Sequence, residues 1–360
     1  LEIYKTKKFF VIVTQIATGC VFGLVAMALH LPNFFAVTIA LLAVIALSGA
    51  THDVAADGVY MATLSTETQA KYIGWQGAFY NIAKIAATGG LVYLAGTLIK
   101  HFTGDVTGLD AVAAAAAKHQ GTVMAWTTRM AIIGSVMLVL RVYHIEFLPA
   151  DAKKKADEKP GFKDTMHELG GVFADFFRKR HIIYYICFII LYRFAEGFVM
   201  KIVPLFLKAD RADQGLGLSE EQIGICYGTF GAAAFVIGSI LAGYYIAHRG
   251  LQKSLFSLCC VFNLPFVAYT LLAIYQPESL WLIGGGIVLE YFGYGFGFVG
   301  LTLFMMQQVA PGKHQMAHYA FASGIMNLGV MLPGMLSGFV SDWLGYRDFF
   351  IFVLVCTIPA

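Results

Sequence analysis

The chain reads as an all-α, polytopic membrane protein, and three observations carry that reading. Its 360 residues are 58% hydrophobic and only 13% charged, whereas soluble domains carry roughly 25% charged residues. Apolar runs long enough to cross a bilayer, about 20 residues each, recur along its length. Lys and Arg are divided unequally between successive connections, as they are in multi-pass proteins. A β-barrel would instead alternate apolar and polar residues in short segments, and no such segments are evident.

The predicted spans lie at about Phe9–Leu29, Phe34–Leu64, Tyr72–Ile99 and Val123–Leu148. After a polar segment they resume at Ile182–Leu207, Gln222–Ala247, Leu255–Tyr275, Leu280–Val309 and Ala317–Leu344, and a last run, Phe349–Ala360, is too short to cross. Lysines precede the first run, but it is too long for a signal peptide and has no small-residue cleavage site. Placing the N-terminus in the cytoplasm puts Lys5, Lys7, Lys8, Lys71, Arg249, Lys253 and Lys313 on that side. The cluster Lys153, Lys154, Lys155, Lys159, Lys163, Arg178, Lys179 and Arg180 joins them, leaving Lys100, Lys118, Lys208, Arg211 and Arg347 outside. This asymmetry predicts a multi-pass membrane protein with its central loop in the cytoplasm.

Residues 149–181 form that central loop. It opens on the charge run DAKKKADEKPG and continues as FKDTMHELGGVFADFFRKR, which has the pattern of an amphipathic surface helix. A basic loop between two helical bundles, 1–148 and 182–360, is the layout of a major facilitator, whose halves are six-helix repeats. Only four spans precede the loop, so the expectation is a fragment lacking helices one and two and most of helix twelve. Gly104–Gly121, with Ala111–Ala117, is expected to be an outer loop or to extend a helix. The six cysteines all lie in apolar runs without metal or disulfide spacing and read as core residues.

Charged residues inside these spans are the candidate functional groups, because an intramembrane charge costs about 3 kcal/mol on the insertion scale. Asp53 and Asp57 stand at i and i+4 in SGATHDVAADGVY, so both carboxylates share one helix face roughly 6 Å apart. Lys84, with Asn81 three residues before it, is their candidate ion-pair partner on the next helix. Arg193 and Glu196 form a possible i, i+3 pair on the first helix after the central loop. Glu290 has no local partner and sits among Gly284–Gly286, Gly293, Gly295 and Gly297. Asn327 is a candidate cavity-lining residue, and Pro333 with Gly334 permits a bend. His52 reads as bonded to its surroundings rather than as a ligand.

Several stretches resemble the AmpG-type muropeptide permeases, a branch of the major facilitator superfamily that also contains the acetyl-CoA transporters. ATHDVAADGVY resembles that family's fourth helix, LYRFAEGF its seventh, and LSEEQIGICYGTFGAAAFVIGSILAG its eighth with a polar lead-in. VLEYFGYGFG resembles the tenth helix with its acidic residue, and HYAFASGIMNLGVMLPGMLSGFVSDWLGYRDFF the eleventh, with Asp342 at its end. GYYIAHRGLQK resembles the facilitator loop pattern but lacks its Asp. The resemblance implies a secondary active transporter, proton-coupled, that imports muropeptides by alternating access. Asp53, Asp57, Glu290 and Glu196 would then bind proton or substrate. Lys84, Arg193 and Asp342 would act in gating or ion pairs, and Asn81 and Asn327 would line the path.

The alternatives are another organic solute (a sugar, a peptide or an acyl-CoA) or an intramembrane enzyme. DVAAD has the D-x-x-x-D spacing of prenyltransferases that hold magnesium and a diphosphate, but a second aspartate-rich motif is missing. No hydrolase or metalloprotease motif is found. The expected partners are a small-molecule solute, protons and the lipid bilayer, with no cofactor and no nucleic acid. Nothing in the sequence sets an oligomeric state.

Overall fold

The computed structural model describes residues 6–149 and 162–359. Among them every regular element is a helix: α1 (Lys7–Ala28), α2 (Phe34–Thr63), α3 (Thr66–Ile85), α4 (Leu91–Thr103), α5 (Ala111–Phe147), α6 (Phe162–Phe177), α7 (Ile182–Lys208), α8 (Glu220–Ile223), α9 (Ala232–Arg249), α10 (Leu251–Asn263), α11 (Phe266–Tyr275), α12 (Leu280–Phe304) and α13 (Gln315–Thr357). Widened π-helical turns follow α3, α8 and α12. Seven helices or helix series among the described residues are long and apolar enough to cross a membrane. α7 is not in that group; its 27 residues make a rod of about 40 Å.

The structure fills in three sequence expectations. The alanine tract at Ala111–Ala117 extends a helix: Asp110 caps it by accepting from the Ala113 N–H at 2.7 Å, and α5 runs unbroken to Phe147. The span expected at Tyr72–Ile99 is two α-helices joined by a π turn at Ala86–Gly90. The runs expected at Ala317–Leu344 and Phe349–Ala360 are, as the sequence has them, two helices, and they meet without a loop at Gly345, whose non-helical φ of 73° is a value that glycine tolerates. The amphipathic segment does form a helix, α6, while the charge run before it (150–161) lies outside the described residues.

The contacts divide the chain into two compact units, one comprising residues 1–63 and 84–159 and the other 64–83 and 160–360. In the first unit α1 packs against α2 and α5, and α4 against α5. Val11, Ala55 and Val59 form its small core. Polar bonds tie the helices together: Thr18 donates to Ser48 (2.9 Å), Ser48 to the Thr14 carbonyl (3.0 Å), and Lys8 to the Ile145 carbonyl (2.7 Å). α1 and α5 approach closely at Gly19 and Gly134, where an added Cβ on Gly134 would stand 2.7 Å from the Gly19 carbonyl oxygen.

The second unit is built on α7 against α13 and α12 against α9 and α10. Its core includes Ile202, Phe206, Ile283, Ile287, Phe349 and Phe350, all nearly or fully buried. Glycines allow the helices to meet. Gly238 faces the Phe292 carbonyl, Gly295 faces the Phe235 carbonyl, and Gly197 leaves the space that the Pro333 ring fills. Within this unit Gly74 of α3 lies against the Ser239 backbone, and Trp75 Nε1 donates to Tyr244 at 3.4 Å. α6 docks by Phe176, which is fully buried and packs on Phe321 and His318. Just after it Lys179 donates to the carbonyls of Val309 (2.5 Å) and Pro311 (2.7 Å). Burial pushes the Lys179 amine below the usual lysine value.

Candidate functional site

The second unit gathers buried charge and phenols in one place. α7 supplies Tyr192, Arg193 and Glu196, successive turns of one helix. α12 supplies Glu290, Tyr291 and Tyr294, with Tyr294 one turn from the acid. α11 contributes Tyr269, and the π-helical turn Gly224–Gly231 contributes Tyr227.

Arg193 and Glu196 form a two-pronged ion pair, with Nε donating to Oε2 and Nη2 to Oε1, both at 2.6 Å. Both residues are buried, Glu196 to 2% exposure. The guanidinium also lies 5.2 Å from the centre of the Phe298 ring, a cation–π contact. Such a fork-to-fork pair within one helix cancels most of its own charge. Beside it, the Tyr192 hydroxyl donates to the Gly297 carbonyl at 2.8 Å, tying α7 to α12.

Glu290 differs. It is 7% exposed, and the Tyr269 hydroxyl donates to its Oε2 at 3.1 Å. Among the described residues it has no ion pair. It lies close enough to Glu196 and Tyr227 for its charge to act on both. Tyr227 and Tyr291 meet edge to face at 4.8 Å, and Tyr291 and Tyr294 at 6.4 Å. An acid in this setting is a group whose charge the fold does not neutralise. It gains or loses a proton at a cost set by what else is in the site.

The structure brings Arg193, Glu196 and Glu290 together; the other sequence candidates stand elsewhere. Asp53 and Asp57 are on α2 of the first unit. The Asp53 side chain is 84% exposed, with His52 Nδ1 at 3.8 Å, and Asp57 is half-buried beside Tyr60. Asn81 is buried on α3, in the segment that belongs to the second unit. Lys84 is exposed in the last turn of the same helix. Asp342 is exposed on α13, three residues before the Gly345 bend, and Asn327 is exposed further up that helix. Among the described residues no His, Cys, Asp and Glu cluster has metal-binding geometry.

Sequence reading missed the phenols. Tyr294 was within its reach, because it lies four residues from Glu290 and therefore on the same helix face. Tyr269 and Tyr227 come from other elements, and no spacing in the sequence links them to Glu290.

Comparison with known proteins then gives the chain its context. The profile of the Major Facilitator Superfamily matches residues 1–309 and, in a second overlapping match, residues 188–360. The transporter named AmpG 2 in Rickettsia typhi is 23% identical over 263 residues, covering 69% of this chain and 58% of that protein. The anhydromuropeptide permease of Escherichia coli K12 is 21% identical over 208 residues, covering 58% of this chain and 41% of the permease. The match thus spans little more than half the length of the first of these relatives and less than half of the second. Among solved structures, the fucose:proton symporter FucP of E. coli aligns with a TM-score of 0.69 over 98% of this chain and 82% of that one. At 15% identity this is a likeness of fold alone. With the superfamily profile matched along its whole length, the chain belongs to the Major Facilitator Superfamily.

Proposed function

We propose that the protein is a proton-driven secondary transporter of the bacterial inner membrane that imports muropeptides released from the cell wall. The observation that carries the proton part is Glu290: a buried carboxyl, bonded to one phenol, with no cation among the described residues to neutralise it. Likeness to AmpG-named transporters and to an anhydromuropeptide permease supports the solute. The D-x-x-x-D enzyme reading has no comparable support, since Asp53 is largely exposed and the family is one of transporters.

In this mechanism two halves rock about a midplane site. With Glu290 ionised, a conformer that buries it carries the full desolvation cost. Protonation removes that cost and shifts the population toward the buried conformer. Glu196 is already paired with a guanidinium, and its charge acts on Glu290. Asp53 and Asp57 are assigned to cation or solute contact in the first half. Lys84 and Asp342 serve as gating charges, and Asn81 and Asn327 as polar positions along the path.

The test is uptake of labelled anhydro-muropeptide into liposomes holding the purified protein, with and without an inward proton gradient. Accumulation that requires the gradient is expected. Uptake that ignores the gradient overturns the coupling. No uptake beside an active control permease overturns the solute and turns the search to sugars, peptides and acyl-CoA esters.

A further inference from the structure

The segment joining α6 to α7 carries cations that the transport reading leaves unused. Its backbone is held as a tight turn. The Arg178 N–H donates to the Ala174 carbonyl at 3.0 Å and the Ile182 N–H to the Lys179 carbonyl at 3.2 Å, while His181 takes a left-handed φ of 65°. Lys179 is turned inward. Its Nζ donates to the carbonyls of Val309 and Pro311 and stands 3.9 Å from where a Cβ on Gly312 would lie. This tether leaves Arg178 and Arg180 exposed on either side of it, and it draws the loop that carries the exposed Lys313 against the same turn.

Among the described residues, Arg178, Arg180 and Lys313 have neither an ion pair nor a side-chain hydrogen bond. Residues 170–184 and 305–318 contain one acid, Asp175, and it stands 3.8 Å from His314. The positive charge is therefore fixed in place and locally unanswered. Apolar side chains adjoin it. Phe177 in the last turn of α6 is 48% exposed, and Ile183 and Tyr184 in the first turn of α7 are 73% and 75% exposed.

Guanidinium groups beside exposed aromatic and aliphatic side chains fit the boundary between headgroups and acyl chains. A guanidinium takes phosphate oxygens in a fork that an ammonium cannot reproduce. The positive end of the α7 dipole, two residues from Arg180, adds to the attraction. Lipid is the occupant that satisfies both halves of the surface, because Ile183 and Tyr184 open a helix long enough to cross the bilayer.

We propose that Arg178, Arg180 and Lys313, with Lys179 as their positioning residue, form a headgroup site for an anionic phospholipid in the leaflet that faces the central loop. Phe177, Ile183 and Tyr184 lie along its acyl chains. The site depends on the chain crossing a membrane and not on the solute or the coupling ion, so its failure and that of the transport reading are separable. The test is native mass spectrometry of the full chain, purified in a neutral detergent and titrated with phosphatidylglycerol or with phosphatidylcholine of the same chains. Phosphatidylglycerol is expected to bind about tenfold more tightly, and Arg178→Gln with Arg180→Gln to remove that preference, at about fivefold for each arginine. Lys179→Met is expected to weaken phosphatidylglycerol about as much as the loss of one arginine, although its amine faces away from the lipid. Arg249→Gln with Lys253→Gln removes the same charge from another exposed turn, between α9 and α10, and is expected to leave binding within about twofold of wild type. If the arginine pair fails to fold, Lys313→Gln reads the same site from the other loop, with an expected loss of about fivefold. Equal binding of the two lipids, or equal losses in the two double variants, overturns the site. Displacement of the bound lipid by inorganic phosphate also overturns it, since the ligand would then be a free anion.

Discussion

Arg193 donates two 2.6 Å hydrogen bonds to Glu196 where both side chains are buried, so neither tolerates the loss of the other. Glu196→Gln is expected to destabilise the protein by about 3–5 kcal/mol, because it strands a guanidinium in low dielectric. The double change Arg193→Met with Glu196→Met should recover much of that loss, and thermal unfolding in detergent measures both. Lys179 offers a residue-scale test outside the membrane. Burial lowers its proton affinity, so around its titration the folded protein binds fewer protons than the unfolded chain. Stability is then expected to rise with pH through the window between the lowered value and the ordinary 10.5. A Lys179→Met variant should lack that rise, and unfolding midpoints across alkaline pH would detect the difference. At this scale the sequence was informative where one residue violates its surroundings. Glu290 among glycines and the pair Arg193 and Glu196 stand out because lipid makes charge conspicuous. Tyr269 does not stand out, since a tyrosine in an apolar helix becomes meaningful only through a partner on another helix.

Helices were the most legible elements, for a physical reason: a bilayer demands about 20 apolar residues per crossing, and nothing in a soluble core imposes so long a run. What the runs do not encode is where a helix widens or bends. The π turn at Ala86–Gly90 lies within a stretch whose hydropathy is continuous, whereas the bend at Gly345 falls where Arg347 and Asp348 interrupt the apolar run. The alanine tract that opens α5 is too weakly apolar to read as a span, yet alanine is the best helix former and Asp110 supplies the cap. Glycines of α12 divide by what they face. A Cβ on Gly295 would collide with the Phe235 carbonyl of α9, whereas one on Gly285 meets nothing within 4 Å. Gly295→Ala is therefore expected to lower the unfolding midpoint sharply by forcing α9 from α12. Gly285→Ala should be neutral or stabilise by up to about 1 kcal/mol through helix propensity. Equal effects of the two would show that close helix approach is not what the Gly295 position supplies.

At the level of the whole molecule, the uneven distribution of Lys and Arg predicts a cytoplasmic central loop. With impermeant thiol reagents and a background lacking native cysteines, Lys253→Cys should label from the cytoplasmic face and Lys208→Cys from the opposite face. The reverse pattern would invert the orientation. The division into units was only partly legible. The polar stretch after Leu148 marks a break in hydropathy, but the membership of residues 64–83 in the second unit depends on contacts such as Gly74 with Ser239. Family membership and the buried acid at Glu290 converge on one central claim, that solute movement is coupled to protonation of that carboxyl. The most direct test compares wild type and Glu290→Gln in proteoliposomes, measuring both gradient-driven accumulation and solute counterflow. The account predicts that the variant loses accumulation and keeps counterflow, because its site is permanently neutral while the rocking motion remains. Accumulation at the wild-type level in Glu290→Gln, still dependent on the gradient, would contradict it.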